Sequence, residues 1–163
     1  MRVLILAPFA HSVLDRMKQQ LDVIHENWMD TKRLLSSQEF VRRIQEQDIP
    51  IVVVEADFVQ REVFQKAPRL KFLGVCRADV VQIDVAAATE HGIPVVNTPA
   101  RNAVAVAELT VGLMLSLLRR IPAAHDMVSS GKWADPTDAY FHMRGSELWR
   151  RTVGIVGFGA IGR

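Results

Sequence analysis

The sequence lacks a second cysteine, a large excess of either charge, and a long uninterrupted hydrophobic run. Because Cys76 is the only cysteine, the chain cannot form an internal disulfide, which fits a reducing compartment. The 20 basic and 18 acidic residues give a net charge of +2 and are spread along the chain rather than clustered. So small an excess argues against a nucleic-acid partner.

No segment is apolar over the ~20 residues that a membrane span requires. The longest apolar run, residues 103–118, contains Glu108. The apolar opening, residues 1–7, is followed at once by Pro8 and shortly by His11, so it predicts a buried first strand rather than a signal segment. We therefore expect a soluble cytoplasmic protein with no membrane partner.

Up to residue 97, short β-branched runs alternate with amphipathic helical stretches. This alternation is typical of a parallel sheet covered on both faces, and it predicts an α/β fold with a flavodoxin-like layer sandwich. The strand candidates, the last of which is weaker, are Val3–Leu6, Ile51–Val54, Lys71–Val75, Pro94–Val96 and Asp22–His25. Two helices are expected between the first two of these strands.

Local signals mark where the helices begin and end. Four apolar side chains share one face of the first helix: Val13, Leu14, Met17 and Leu21. Ser36 and Glu39 form a capping-box signature at the start of the second helix. Asp84 is expected to cap a later, short helix that Gly92 ends.

Residues 102–120 predict a long helix that is apolar nearly all the way round. Its polar side chains fall within about one third of the circumference, and they are Glu108, Ser116, Arg119 and Arg120. Because one sheet covers only one side, the other side should meet a neighbouring domain or another subunit. After this helix we expect another that ends near Ser130, then a connection rich in Gly, Trp, Asp and Pro, and a final strand at residues 152–156.

The final strand candidate leads into a glycine-rich run, Gly157-Phe-Gly-Ala-Ile-Gly162. The pattern GxGxxG normally opens a βαβ unit, in which the glycines let the backbone approach a pyrophosphate at a helix N-terminus. The candidate cofactor-binding residues are Gly157, Gly159, Ala160, Ile161 and Gly162. The sequence therefore predicts the start of a nucleotide site rather than a complete one.

Residues 68–163 resemble the D-isomer-specific 2-hydroxyacid dehydrogenases, the family that includes phosphoglycerate, glycerate and formate dehydrogenases. The order and spacing of several segments carry the resemblance: Ala86–Pro99, Asn102–Thr110, Arg119–Pro122, Gly131–Trp133 and the glycine-rich run. Before residue 68 the sequence adds only a compatible fold.

The resemblance implies residues 1–98 as a substrate-binding (catalytic) domain and residues 99–163 as the truncated start of an NAD(P)-binding Rossmann domain. Helix 102–120 would cross between the domains and form a homodimer. The implied activity is hydride transfer between NAD or NADP and a small 2-hydroxy or 2-oxo acid. In the family, the catalytic Arg, acidic residue and His follow the glycine-rich run at a distance. We therefore assign no catalytic residue and expect this chain alone to be inactive.

The resemblance also assigns Arg77, Ala78 and Asp79 to the loop whose backbone N–H groups hold the substrate carboxylate. Relatives usually carry glycine in place of Ala78 and Asp79, and an aspartate facing the cleft would repel a carboxylate. Arg77 can offset this repulsion as a charge-assisted donor. The segment 97–99 either lines the cleft or forms a turn at the end of a strand.

No metal site is expected, because the five histidines have no acidic residue or cysteine at ligand spacing. Cys76 is expected to be a packing residue rather than a nucleophile. A non-catalytic module that pairs through helix 102–120 is the alternative function, since an exposed apolar face of that size is unfavourable on a monomer. The choice of acid and of NAD or NADP stays open.

Overall fold

The computed structural model describes residues 1–163. The chain divides into two compact units, Met1–Arg101 and Asn102–Arg163, which we call the first unit and the second unit.

The first unit is built on a five-stranded sheet. Its strands are β1 (Arg2–Ile5), β2 (Asp22–His25), β3 (Ile51–Val54), β4 (Phe72–Val75) and β5 (Val95–Asn97). They lie in the order β2-β1-β3-β4-β5, and every neighbouring pair is parallel. All five predicted strands are present with bounds shifted by no more than one residue, and the predicted flavodoxin-like parallel sheet is confirmed.

Five helices connect these strands: α1 (His11–Lys18), α2 (Trp28–Thr31), α3 (Ser37–Glu46), α4 (Arg61–Lys66) and α5 (Val85–Glu90). The expectation of two helices between β1 and β3 was wrong by one, because α2 adds a single turn there. Asn27 explains this turn, since its side chain accepts a hydrogen bond from the backbone N–H of Met29 at 3.0 Å.

The predicted helix caps are confirmed. The Ser36 hydroxyl accepts a hydrogen bond from the Glu39 backbone N–H at 3.3 Å, and the Glu39 carboxylate accepts one from the Ser36 backbone N–H at 3.1 Å. The Asp84 carboxylate accepts from the Ala87 backbone N–H at 2.8 Å. Gly92 ends α5 with φ of +66°, in the left-handed region that glycine enters without steric cost.

Two hydrophobic clusters cover the two faces of the sheet. Successive strand residues point to opposite faces, so Leu4 lies in one cluster while Val3 and Ile5 lie in the other. The larger cluster contains side chains from α3, α4 and α5, including the fully buried Phe40 and Phe64. In the smaller cluster, Leu14 of α1 packs against β1. This core fixes the strand ends, and with them the loops that follow.

The second unit contains three helices, α6 (Ala103–Leu118), α7 (Ile121–Ser129) and α8 (Pro136–His142). The first two confirm the predicted helices. The third lies in the stretch predicted as a connection, although Asp135 followed by Pro136 is a recognisable helix start and Asp135 does cap α8. None of the helices is both long and apolar enough to cross a membrane.

The predicted final strand at residues 152–156 was wrong. Residues 151–163 form no strand, and the side chains of Ile155 and Val156 are exposed. A strand requires hydrogen bonds from a neighbouring strand, and the only sheet in this structure has order β2-β1-β3-β4-β5, without this segment.

Candidate functional site

The candidate site lies at the carboxyl edge of the sheet. Because all five strands are parallel, the residues that follow β3, β4 and β5 meet at one edge. Val54 pairs with Val75, so the next residues along, Glu55 and Cys76, stand side by side. Open α/β sheets bind their ligands beyond this edge.

The predicted substrate loop, Arg77–Asp79, is held from one side by the end of β5. The Arg77 carbonyl accepts hydrogen bonds from the Thr98 backbone N–H at 3.0 Å and the Thr98 hydroxyl at 3.4 Å. The Ala78 carbonyl accepts one from the Asn97 side-chain amide at 2.8 Å. With the carbonyls engaged there, the backbone N–H groups of residues 77–79 make no hydrogen bond, and all three residues are exposed. Free N–H groups of this kind can bind an anion.

Asn97 and Thr98 therefore have a role that the sequence did not predict. Their side chains orient the loop through its carbonyl groups, and residues 99–102 form a turn after β5, as one of the two interpretations of this segment predicted.

The charges on the loop nearly cancel. The Arg77 Nε lies 4.0 Å from an Asp79 carboxylate oxygen, and both side chains are about half exposed. An exposed pair at this distance contributes little to stability. Its effect here is to reduce the repulsion that Asp79 would otherwise exert on a bound carboxylate.

Glu55, Trp28 and Arg101 form a second polar cluster at this edge, and the sequence did not predict it. The Glu55 side chain is only 12% exposed. One of its carboxylate oxygens accepts a hydrogen bond from the Trp28 indole N–H at 3.0 Å, and the other accepts one from the Arg101 guanidinium. A buried carboxylate needs such partners, so an acidic residue directly after a buried strand was the available signal.

Cys76 lies beside this cluster and is a free thiol. Burial raises its pKa most, the Glu55 carboxylate raises it further, and the Arg101 guanidinium lowers it. The thiol is therefore protonated at neutral pH and is a poor nucleophile.

A separate cavity of about 240 Å³ lies towards β2, with Trp28, Arg42 and Asp57 among its lining residues. Asp57 is buried, and one of its oxygens accepts a hydrogen bond from the Leu35 backbone N–H at 2.8 Å while the other has no partner. Burial raises the pKa of this carboxyl, against the hydrogen bond from Leu35.

The histidines show one departure from the sequence analysis. His142 does have an acidic partner, because its Nδ1 lies 2.8 Å from Asp138 one helical turn away. Both side chains are exposed. No three His, Cys, Asp or Glu side chains lie close enough together to hold a metal ion.

The glycine-rich run has the turn geometry but not its usual surroundings. Gly157 has φ of +93°, and a Cβ on Gly162 would lie 2.4 Å from the Gly157 carbonyl oxygen, so both positions require glycine. No strand precedes the run, and residues 160–162 form a turn rather than the start of a helix. A pyrophosphate cradle depends on the N–H groups of such a helix. The assignment of Gly157, Gly159, Ala160, Ile161 and Gly162 to cofactor binding stays a prediction.

The fold and the edge loop define an α/β domain with unbonded backbone N–H groups at the carboxyl ends of its strands. The sequence profile of the family "D-isomer specific 2-hydroxyacid dehydrogenase, catalytic domain" matches residues 3–156. The chain belongs to this family.

Individual relatives agree with the family match. The chain is 40% identical to D-3-phosphoglycerate dehydrogenase of Methanocaldococcus jannaschii, over 79% of this chain and 24% of that protein. It is 36% identical to glyoxylate reductase of Thermofilum pendens, over 91% of this chain and 43% of that protein. The structure of NAD-dependent formate dehydrogenase from Staphylococcus aureus in complex with NAD is similar, with a TM-score of 0.70 and 27% identity, covering 99% of this chain and 51% of that one. The chain spans less than half the length of these two curated relatives.

Proposed function

We propose that this chain contributes the substrate-binding part of an NAD(P)-dependent oxidoreductase. The proposed enzyme acts on the CH–OH group of a D-2-hydroxy acid, or reduces the corresponding 2-oxo acid. The observation that carries the proposal is the loop at residues 77–79 at the carboxyl edge of the sheet, because these residues are exposed and their backbone N–H groups make no hydrogen bond. Membership of the family supports the reaction type.

In this proposal residues 1–98 bind the substrate and residues 99–163 begin the nucleotide-binding domain. NAD or NADP is the proposed cofactor, which the glycine-rich run and the NAD bound to the S. aureus enzyme support. We also propose a cytoplasmic location. The single cysteine is a free thiol, which is compatible with a reducing compartment.

The proposed role of the loop follows from its charges and donors. A carboxylate would accept hydrogen bonds from the N–H groups of residues 77–79, and Arg77 would supply a nearby positive charge. Asp79 opposes this binding, because its negatively charged carboxylate lies on the same loop and repels the carboxylate of the ligand. Ala78 is compatible with it, because the donor is a backbone group.

Titration of the ¹⁵N-labelled chain with glycolate tests the loop directly. We expect the amide resonances of residues 77–79 to shift, and Asp79→Asn to bind glycolate several-fold more tightly at low salt because it removes a like charge. Asp48→Asn is the matched control. Asp48 also pairs with an arginine on the surface, Arg69, but neither residue belongs to the loop. A chain in which glycolate shifts none of the loop amides would contradict the proposed substrate site.

We further propose that residues 1–163 do not catalyse turnover by themselves, because the glycine-rich run lacks a strand and a helix to complete the phosphate cradle. An assay with glyoxylate, hydroxypyruvate or phosphohydroxypyruvate plus NADH or NADPH should show no oxidation of the nucleotide. Measurable turnover would disprove this part of the proposal.

Helix α6 supports a second candidate function, a module that pairs with another copy and has no catalytic role. Six large apolar side chains of this helix are at least 40% exposed: Val104, Leu109, Val111, Leu113, Leu115 and Leu117. Only Ala103 of the helix is buried. An apolar face of this extent gains free energy when a partner covers it. The proposed enzyme could also pair through this helix, so both candidate functions predict a dimer.

Sedimentation velocity tests the pairing. We expect the wild-type chain to form dimers at micromolar concentration, and Leu109→Glu to be monomeric because it would place a charge in the apolar contact. Gln38→Glu adds the same charge on α3 and should leave the dimer intact. A wild-type chain that stays monomeric at high concentration would exclude pairing, whereas dimers together with no binding of acids would favour the non-catalytic module.

A further inference from the structure

The relatives differ in what their acid carries beyond the carboxylate, since phosphoglycerate has an oxygen on its third carbon and glyoxylate has no third carbon. We infer that Arg101, positioned by Glu55, donates a hydrogen bond to an oxygen on C3 of the substrate, so that the site selects C3-oxygenated 2-hydroxy acids. This inference rests on the proposed function, because it takes the loop at residues 77–79 as the carboxylate site.

The first step is that Glu55 cannot release Arg101 easily. Its carboxylate is nearly buried and both oxygens are occupied, one by the Trp28 indole N–H and the other by Arg101. A carboxylate held from two sides has little freedom to rotate, so the arginine that it binds is held in place as well. Glu55 is therefore a positioning residue that acts through Arg101.

The second step is that Arg101 keeps donors for a ligand. A guanidinium has five N–H donors, and the structure shows a bond from Nη2 to Glu55. The Arg101 side chain is 49% exposed, so its other N–H groups reach solvent at the carboxyl edge. Hydrogen bonds from a charged donor are stronger than those between neutral groups.

The third step is the distance between the two parts of the site. Glu55 and Cys76 follow paired residues on neighbouring strands, which lie about 4.8 Å apart. The Arg101 charge is close enough to affect the Cys76 thiol, which immediately precedes the loop. In this inference the carboxylate of a three-carbon acid binds the loop, and its C3 substituent extends about one strand spacing to the side of Arg101.

The fourth step is the choice of substituent. Glu55 already offsets the charge of Arg101, so a second negative charge on the ligand is not required and a neutral hydroxyl is sufficient. A methyl group offers no acceptor and would cover the N–H groups of Arg101 without pairing them, which is unfavourable. Sites built to hydrogen-bond a hydroxyl discriminate strongly against analogues that lack it.

The test compares two ligands that differ only at C3. D-glycerate and D-lactate are each titrated into the ¹⁵N-labelled chain, and the shifts of the loop amides at residues 77–79 give the two dissociation constants. We expect D-glycerate to bind about tenfold more tightly than D-lactate. Arg101→Met should remove this preference, because D-glycerate loses its donor and D-lactate no longer covers unpaired N–H groups, whereas Arg101→Lys should keep part of it.

Glu55→Gln tests the positioning role, because glutamine keeps an acceptor for one partner but loses the charge. It should reduce the ratio of the D-glycerate affinity to the D-lactate affinity, although the loss of a negative charge strengthens binding of both acids. Arg61→Met is the matched control, since Arg61 is similarly exposed and pairs with Glu90 away from this cluster. It should leave both affinities unchanged. A purely structural pair would alter binding of both acids alike.

The outcomes separate this inference from the proposed function. Loop shifts without a preference for D-glycerate, or a preference that survives in Arg101→Met, would overturn the role of Arg101 and leave the substrate loop standing. The absence of loop shifts with every acid would count against the proposed function itself, and the inference would fall with it. D-3-phosphoglycerate is used in a third titration. Equal affinity for it and D-glycerate supports the oxygen bonded directly to C3, and an Arg101-dependent gain over D-glycerate would overturn that assignment in favour of the phosphoryl group.

Discussion

The two units of this chain are both rich in apolar residues, but only the first buries them. The first unit contains nearly all of the buried hydrophobic side chains, among them Phe40 and Phe64, whereas Ala103 and Ala139 are the only ones in the second. In the first unit every strand has a neighbour, so alternating side chains reach a covered face. In the second unit, Ile155 and Val156 have the composition of a strand but no neighbour, and they are exposed. Apolar composition alone therefore does not make a core.

A matched pair of phenylalanine substitutions should give the largest difference between the units. Phe40 is fully buried and Phe141 is 76% exposed. We expect Phe40→Ala to lower the free energy of unfolding by about 3–5 kcal/mol, because it leaves a cavity in the core. Phe141→Ala should change it by less than about 0.5 kcal/mol. Urea denaturation followed by circular dichroism measures both, and equal losses would refute the contrast.

Removal of helix caps should produce a smaller difference. Ser36→Ala removes the capping box of α3, whose Phe40 and Ile44 are buried, and should cost about 1 kcal/mol. Asp135→Ala removes the cap of α8, where only Ala139 is buried. We expect this variant to lose helical signal without shifting the main unfolding transition. A shift of that transition as large as the one from Ser36→Ala would mean that α8 belongs to the same cooperative unit as the sheet.

The smallest effect should appear in the dependence of stability on pH. Burial raises the pKa of Asp57 in the folded chain, so between its ordinary value and the raised value the folded state binds more protons than the unfolded state. The contribution of Asp57 to stability is therefore present below its ordinary pKa and lost as pH rises through the raised one. Asp57→Asn should flatten this decline in acid-range denaturation curves while keeping the acceptor for Leu35. If stability falls equally steeply with pH in Asp57→Asn and in the wild-type chain, Asp57 is not the source of the decline.

Asp135 in the second unit should show the opposite direction. Hydrogen bonds from Thr137 lower its pKa, and the group is exposed. A lowered pKa gives a contribution that is present above the ordinary value and lost as pH falls. The α8 helical signal of the wild-type chain should therefore fall at the acidic end of a circular dichroism titration, and Asp135→Asn, which keeps a capping oxygen but has no carboxyl group to protonate, should remove this dependence.

The sequence predicted the first unit well because its signals are local. Short runs of three to five mostly apolar residues indicated the strands, and Ser36 with Glu39 indicated a helix start that the structure confirms. The final strand failed for a physical reason, since residues 152–156 have the right composition but strand formation depends on a partner that composition does not reveal. Helix α8 was missed although Asp135 and Pro136 gave a usable signal.

The candidate site was predictable only in part. Arg77, Ala78 and Asp79 could be proposed from the sequence because they form one contiguous segment that resembles the substrate loop of the family, and their role stays a prediction. The pair of Glu55 and Arg101 joins residues 46 positions apart, and only the order of the strands brings them together. The same holds for Asn97, whose amide reaches the carbonyl of Ala78 across 19 positions.

The edge strand β5 has a consequence for how copies of this protein behave at high concentration. It has only three residues, Pro94 precedes it, and Pro99 follows two positions after it. Proline has no backbone N–H to donate to a strand of another molecule. The edge strand therefore presents too few donors for strand pairing to extend from one molecule to the next. The chain thereby keeps this edge of the sheet short, which limits fibrous aggregation through β5.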